Sequence, residues 1–225
     1  MRFQDAAPDA RAVVYAGIQA ERLVAECAAE LADASGDQRL LARAVMNGES
    51  TDPDVWRAMF PSLFGDEPLG DDERERSERI LAASLAVAER GEQARSQYRG
   101  AIVESLTERL VARRPGVLDG TVRRERRVLF DGVRAEIHPY DVTVEQPGAA
   151  VAIDCKWGAR GISADVLHQL EDARAHAEDE DEALAVVLVV FDAARSCAVR
   201  LDRQTAPHER TRIVTIETLD ELAAT

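Results

Sequence analysis

Residues 150–157 read Ala-Val-Ala-Ile-Asp-Cys-Lys-Trp. This apolar run lies between the Pro147-Gly148 turn and Gly158, which is the pattern of a strand. Side chains alternate faces along a strand, so Asp154 and Lys156 project together while Ile153 and Cys155 point to the other face. Lys156 is the only lysine in a chain with 27 arginines. A position that keeps an ammonium in such a chain asks for a compact point charge rather than a planar fork.

Working outward, Ala135–Val144 is expected to be the neighbouring strand, and it carries Asp141. Arg127–Gly132 reads as a strand and turn, and Gly100–Val111 as an amphipathic helix ending near Pro115-Gly116. Downstream, Ser163–Ala177 reads as a helix with Ser163 as its N-cap. Leu184–Phe191 is a continuous apolar run suited to a strand buried on both faces. Arg212–Glu217 reads as a last strand and Leu219–Ala224 as a short helix, with Cys197 in a strand or turn between the last two strands. The order helix, three strands, helix, strand, strand predicts an α/β fold with a mixed central sheet. Residues 1–95 read as helical throughout, with Val24, Cys27 and Leu31 at helical spacing, so the expected division is 1–95 and 96–225.

Apolar residues make up 46% of the 225 and charged residues 31%, as in folded soluble domains. No apolar run is long enough to span a membrane, and the first residues lack a signal-peptide core, so a cytoplasmic protein is expected. The three cysteines, with no CxxC spacing, argue against a disulfide framework or a structural zinc site. The net charge of −14 argues against a protein that coats nucleic acid nonspecifically. Between Arg109 and Arg134, however, eight arginines face three acids. Arg113, Arg114, Arg123, Arg124, Arg126 and Arg127 are therefore candidates for phosphate contact.

Antiparallel pairing across the Pro147-Gly148 turn could bring Asp141 beside Asp154. Two carboxylates on adjacent strands make a hard oxygen site for Mg2+, with Mn2+ as a substitute, and the backbone carbonyl of Cys155 could add a third oxygen. Phosphodiester hydrolysis fits such a set. A divalent cation lowers the pKa of an attacking water, and the lysine either stabilises developing charge or helps to position and deprotonate that water.

Residues 100 to about 218 resemble the PD-(D/E)XK, or restriction-endonuclease-like, nuclease superfamily. Pro139-Tyr140-Asp141 stands for the PD element, with a tyrosine interposed, and Asp154-Cys155-Lys156 for the (D/E)-x-K. The resemblance implies an αβββαβ core and a catalytic set of Asp141, Asp154 and Lys156. It adds Glu104 on the first core helix as a further metal or catalytic ligand, with Glu108 as the alternative acid, and Gln169 on the helix after the lysine. The implied activity is that of a Mg2+-dependent endo- or exonuclease, acting on DNA in preference to RNA, in bacterial defence or DNA repair. The alternative is a catalytically silent nuclease-fold subunit that binds or regulates. The helical 1–95 region would then clamp DNA, bind a partner protein or form a homodimer.

Overall fold

The computed structural model describes residues 1–6, 10–65, 70–134 and 138–224. The chain forms two compact units, one of residues 10–106 and one of residues 1–9 with 107–225.

In chain order, the first element is strand β1 (Arg2–Asp5). The helices of the first unit follow: α1 (Ala10–Gln19), α2 (Arg22–Ala32), α3 (Gly36–Asn47), α4 (Pro53–Met59), α5 (Pro61–Phe64) and α6 (Asp71–Ala88). Helix α7 (Glu92–Ala112) is one continuous element that begins in this unit and ends in the other. Ser35 starts α3 with a capping box closed by Gln38, satisfying two otherwise orphaned backbone donors. Leu41, Val45, Trp56, Leu63 and Leu81 form one core cluster. Cys27 is fully buried, and burial pushes its thiol up to about 12.

The second unit is built on a mixed sheet. Its elements are β2 (Val122–Phe130), β3 (Val133–Arg134), β4 (Tyr140–Gln146), β5 (Ala149–Lys156), α8 (Ala164–Asp179), β6 (Leu184–Val190), α9 (Ala194–Leu201), β7 (Arg212–Val214) and α10 (Glu221–Ala224). The strand order is β1-β2-β4-β5-β6-β7, with short β3 paired to β2. The pairs from β1 to β5 are antiparallel, while β5-β6 and β6-β7 are parallel. A parallel step needs a crossover, and α8 supplies it between β5 and β6. Ala150 and Ala152 of β5 and Leu184, Val186, Leu188 and Val190 of β6 share a core cluster with Leu167, Leu170, Ala173 and Ala177 of α8. Ser163 caps α8 by accepting from Val166 N.

Four expectations change. The first 95 residues are not all helical, because Arg2–Asp5 pairs with Arg126–Leu129 as an edge strand. The expected boundary at 95/96 falls inside α7, and the compact units divide instead between Leu106 and Thr107. Cys197 lies on α9, buried, rather than in a strand or turn. The last strand stops at Val214, and Ile216–Thr218 is a 3-10 turn. Of the expected strand Ala135–Val144, residues 135–137 lie outside the described residues. Among the described residues no helix is long and apolar enough to cross a membrane.

Candidate functional site

The β4–β5 ladder registers from Gln146 opposite Ala149 to Val142 opposite Ile153. One step further, the backbone N–H of Cys155 donates to Asp141 Oδ2 at 2.6 Å. A side-chain oxygen takes the role of a ladder carbonyl there, so the C-terminal end of β5 meets a carboxylate instead of a strand. Next in register to Asp141 on β5, Asp154 is 6% exposed, and its Oδ2 lies 2.6 Å from Lys156 Nζ. Apart from that ion pair, the buried Oδ2 has no hydrogen-bond donor among the described residues. Burial works against the Lys156 ammonium, but Asp154 and then Asp141 outweigh it and hold its pKa above the ordinary lysine value.

The backbone around Lys156 is fastened on both sides. Its carbonyl accepts from Phe191 N at 2.8 Å. Asp192, at the end of β6, accepts from Ala159 N at 2.9 Å and from Ala193 N at 2.8 Å. This ties the loop after β5 to the neighbouring parallel strand. Trp157 packs on Phe191, their ring centroids 5.1 Å apart. The 3-10 turn Ala159–Gly161 closes over the lysine stem. A Cβ on Gly161 would sit 2.9 Å from Lys156 Cβ, Cγ and Cδ.

Glu125, on β2, was not expected. Its φ of 52° is left-handed, which a non-glycine residue adopts at a cost. Its neighbours Arg124 and Arg126 pair in register with Val142 and Tyr140. A carboxylate oxygen of Glu125 lies within 4.8 Å of one of Asp141, so the two acids could hold a metal ion. The one available signal was an acid standing alone in Arg-Arg-Glu-Arg-Arg, residues 123–127. Nothing local in that run foretells the backbone turn that re-aims it.

Gln169 is buried and clamps the approach to β4. It accepts from His138 N and donates to His138 O, both at 3.1 Å. Its own carbonyl accepts from Tyr140 Oη at 3.3 Å. The amide thus behaves as a one-residue ladder that positions the backbone just before Asp141. Cys155 turns its thiol toward Thr107 Oγ1 on α7, 3.5 Å away. Glu108, the alternative acid, is ion-paired with Arg124. Glu104 belongs to the helical unit, where it is buried on α7 and accepts from Tyr15 Oη at 2.5 Å and Gln19 Nε2 at 2.7 Å.

Two of the six candidate phosphate-binding arginines are ion-paired within the chain. Arg124 is taken by Glu108. Arg126 is taken by Glu145 at 2.7 Å and by Asp5. Arg113 and Arg123 are exposed, and Arg114 and Arg127 are half-buried.

No protein-family model matches the chain, and no curated protein matches it. Among solved structures, the crystal structure of protein VC1899 from Vibrio cholerae is similar at a TM-score of 0.42 and 18% identity. That match covers 99% of this chain and 56% of the other, so the chain spans little more than half the length of that protein. At that TM-score the likeness decides neither fold family nor activity.

Proposed function

We propose that the sheet-bearing unit is a metal-dependent nuclease that hydrolyses phosphodiester bonds, with DNA as the preferred substrate and Mg2+ as the working cation. The observation that carries this reading is the Asp141 carboxylate at the end of the β4–β5 ladder, beside the Asp154–Lys156 pair and within reach of Glu125. The element order α7, β2, β4, β5, α8, β6 supports a restriction-endonuclease-like core.

The donor set fits a hard divalent cation. Asp141 and Glu125 offer carboxylate oxygens close enough to share one ion, and among the described residues the buried Asp154 Oδ2 has Lys156 alone to balance it. A bound cation would acidify an attacking water and neutralise the leaving oxygen. The chain's own residues do the rest. Lys156, ion-paired with Asp154, offers positive charge to a phosphate oxygen. Asp192 and Gln169 keep the ends of β5 and β4 in place, so that the charged groups need not reorganise during reaction. Glu104, buried on α7, takes the place of the acid of the first core helix.

The test is incubation of the full chain with supercoiled, linear and single-stranded DNA plus Mg2+ or Mn2+. Cleavage is expected, reduced about 100-fold or more in Lys156→Ala and Asp141→Asn, as for loss of a transition-state charge partner. Glu104→Gln tests its membership in the same assay. Failure to cut any substrate, or cutting that survives Lys156→Ala, overturns the proposal. A second reading, a silent binding module, is favoured by the mutual satisfaction of Asp154 with Lys156 and of Asp141 with the Cys155 N–H. Metal-independent DNA binding, unchanged in Asp154→Ala, would support it.

A further inference from the structure

On the far side of the 3-10 turn that holds Lys156 lies a concavity of about 470 Å³. Arg160 of the turn and Arg195, Ser196, Val199 and Arg200 of α9, with Arg203 just beyond it, line the space, and among the described residues no acid does. This is unusual in a chain of net charge −14, where arginines such as Arg57, Arg79, Arg124, Arg126, Arg174, Arg210 and Arg212 are each set against a carboxylate. Arg160, Arg195 and Arg203 are all exposed. Arg200 is committed differently: its Nε donates to Ile162 O at 2.8 Å, which fixes α9 against the turn.

The turn is a shared wall. Gly161 packs on the stem of Lys156, while Ala159 and Arg160 line the concavity. An anionic chain beside Lys156 therefore has Arg160, on the same turn, as the start of a patch that no acid neutralises among the described residues. Isolated arginines on an acidic surface gain most by pairing with carboxylates of their own chain. Three with no acidic partner among the described residues, around one hollow, point to a polyanion as their counter-charge.

We propose that Arg160, Arg195 and Arg203 form a track for the phosphodiester backbone of the DNA flanking the cleavage position. This rests on the nuclease reading for the identity of the anion. The track replaces the 113–127 arginine run as the main phosphate-contacting surface, because Arg124 and Arg126 of that run are neutralised by their own chain.

The experiment measures binding of a fluorescein-labelled 30-base-pair duplex by the full chain, across a salt series with Ca2+ in place of Mg2+. It compares wild type, the triple variant Arg160→Gln/Arg195→Gln/Arg203→Gln, and the triple Arg→Lys variant. Each lost phosphate contact lowers the slope of log K against log salt by about 0.9, so the glutamine triple should lose about 2 to 3 from the slope, and the lysine triple should keep it. KM for cleavage should rise at least tenfold in the glutamine triple, with kcat less affected. Circular dichroism confirms that it is folded.

Cleavage and an unchanged slope in the folded glutamine triple overturn the track and leave the nuclease reading standing. Arginine-dependent duplex binding without any cleavage by wild type supports the track and sinks the nuclease. If wild type does not bind the duplex, but inorganic phosphate raises its Tm and the glutamine triple loses that shift, the hollow is a small-anion site and the track is wrong. Binding of neither probe also overturns it.

Discussion

Gly161 governs where the Lys156 ammonium can sit. The glycine is needed for close approach and not for a left-handed backbone, since any Cβ would fall 2.9 Å from three carbons of the lysine stem. Gly161→Ala must displace either the turn or the lysine. The turn is anchored through the Ala159 N–H to Asp192, so the lysine gives way. The expected outcome is a 10- to 100-fold fall in cleavage rate with a Tm change of only a few degrees, since misplacing a reacting group by about 1 Å can cost that much. Unaltered kinetics would mean that the ammonium need not occupy its observed place. The sequence made Lys156 conspicuous because it is the sole lysine, and made Asp154 its partner through alternation. It did not mark Gly161, whose importance is a close approach to the Lys156 side chain and not a pattern.

The β4 strand begins at a clamp. Gln169, from α8, closes two hydrogen bonds on the backbone of His138, two residues before Tyr140 starts the strand. Gln169→Ala leaves a part-buried backbone donor and acceptor without that partner, and each such hydrogen bond contributes about 0.5 to 1.5 kcal/mol. The variant should unfold at correspondingly lower denaturant and bind Mn2+ more weakly, because Asp141 follows directly on the clamped segment. An unshifted denaturation midpoint would show that the clamp adds nothing. Elements of this length show how far local pattern reaches. β5, β6 and α8 were legible because each carries its own signature: alternation ahead of Lys156, an unbroken apolar run, and a serine cap with a helical stripe. β1 was not, because four residues at the start of the chain show nothing local that says strand. What makes them one is pairing with Arg126–Leu129, far along the chain. Helix α9 escaped for a related reason. It has only eight residues, and its one fully buried position, Cys197, shows no periodicity. The site was half-legible in the same way. Asp141, Asp154 and Lys156 came from motif and spacing, whereas Glu125 enters only through the pairing of β2 with β4.

For the whole molecule, a cation that binds only the folded sheet unit must stabilise it. At about 100 times its Kd, Mg2+ should contribute about 2.7 kcal/mol, a rise of several degrees in Tm that EDTA reverses. A chain of net charge −14 also attracts Mg2+ without a site, so the comparison that matters is Asp141→Asn at equal ionic strength. The variant should lose most of the rise, and an equal rise in both proteins would reduce the acids to a diffuse counter-ion sink. Glu125 sets a conflict inside this scheme. Its left-handed backbone is a conformation that glycine occupies with ease, while the carboxylate it carries faces Asp141. Robustness and chemistry therefore pull that one codon in opposite directions. Selection of random variants for heat resistance alone would drift toward glycine there, and the hardier descendants would be the ones that had surrendered the acid beside Asp141.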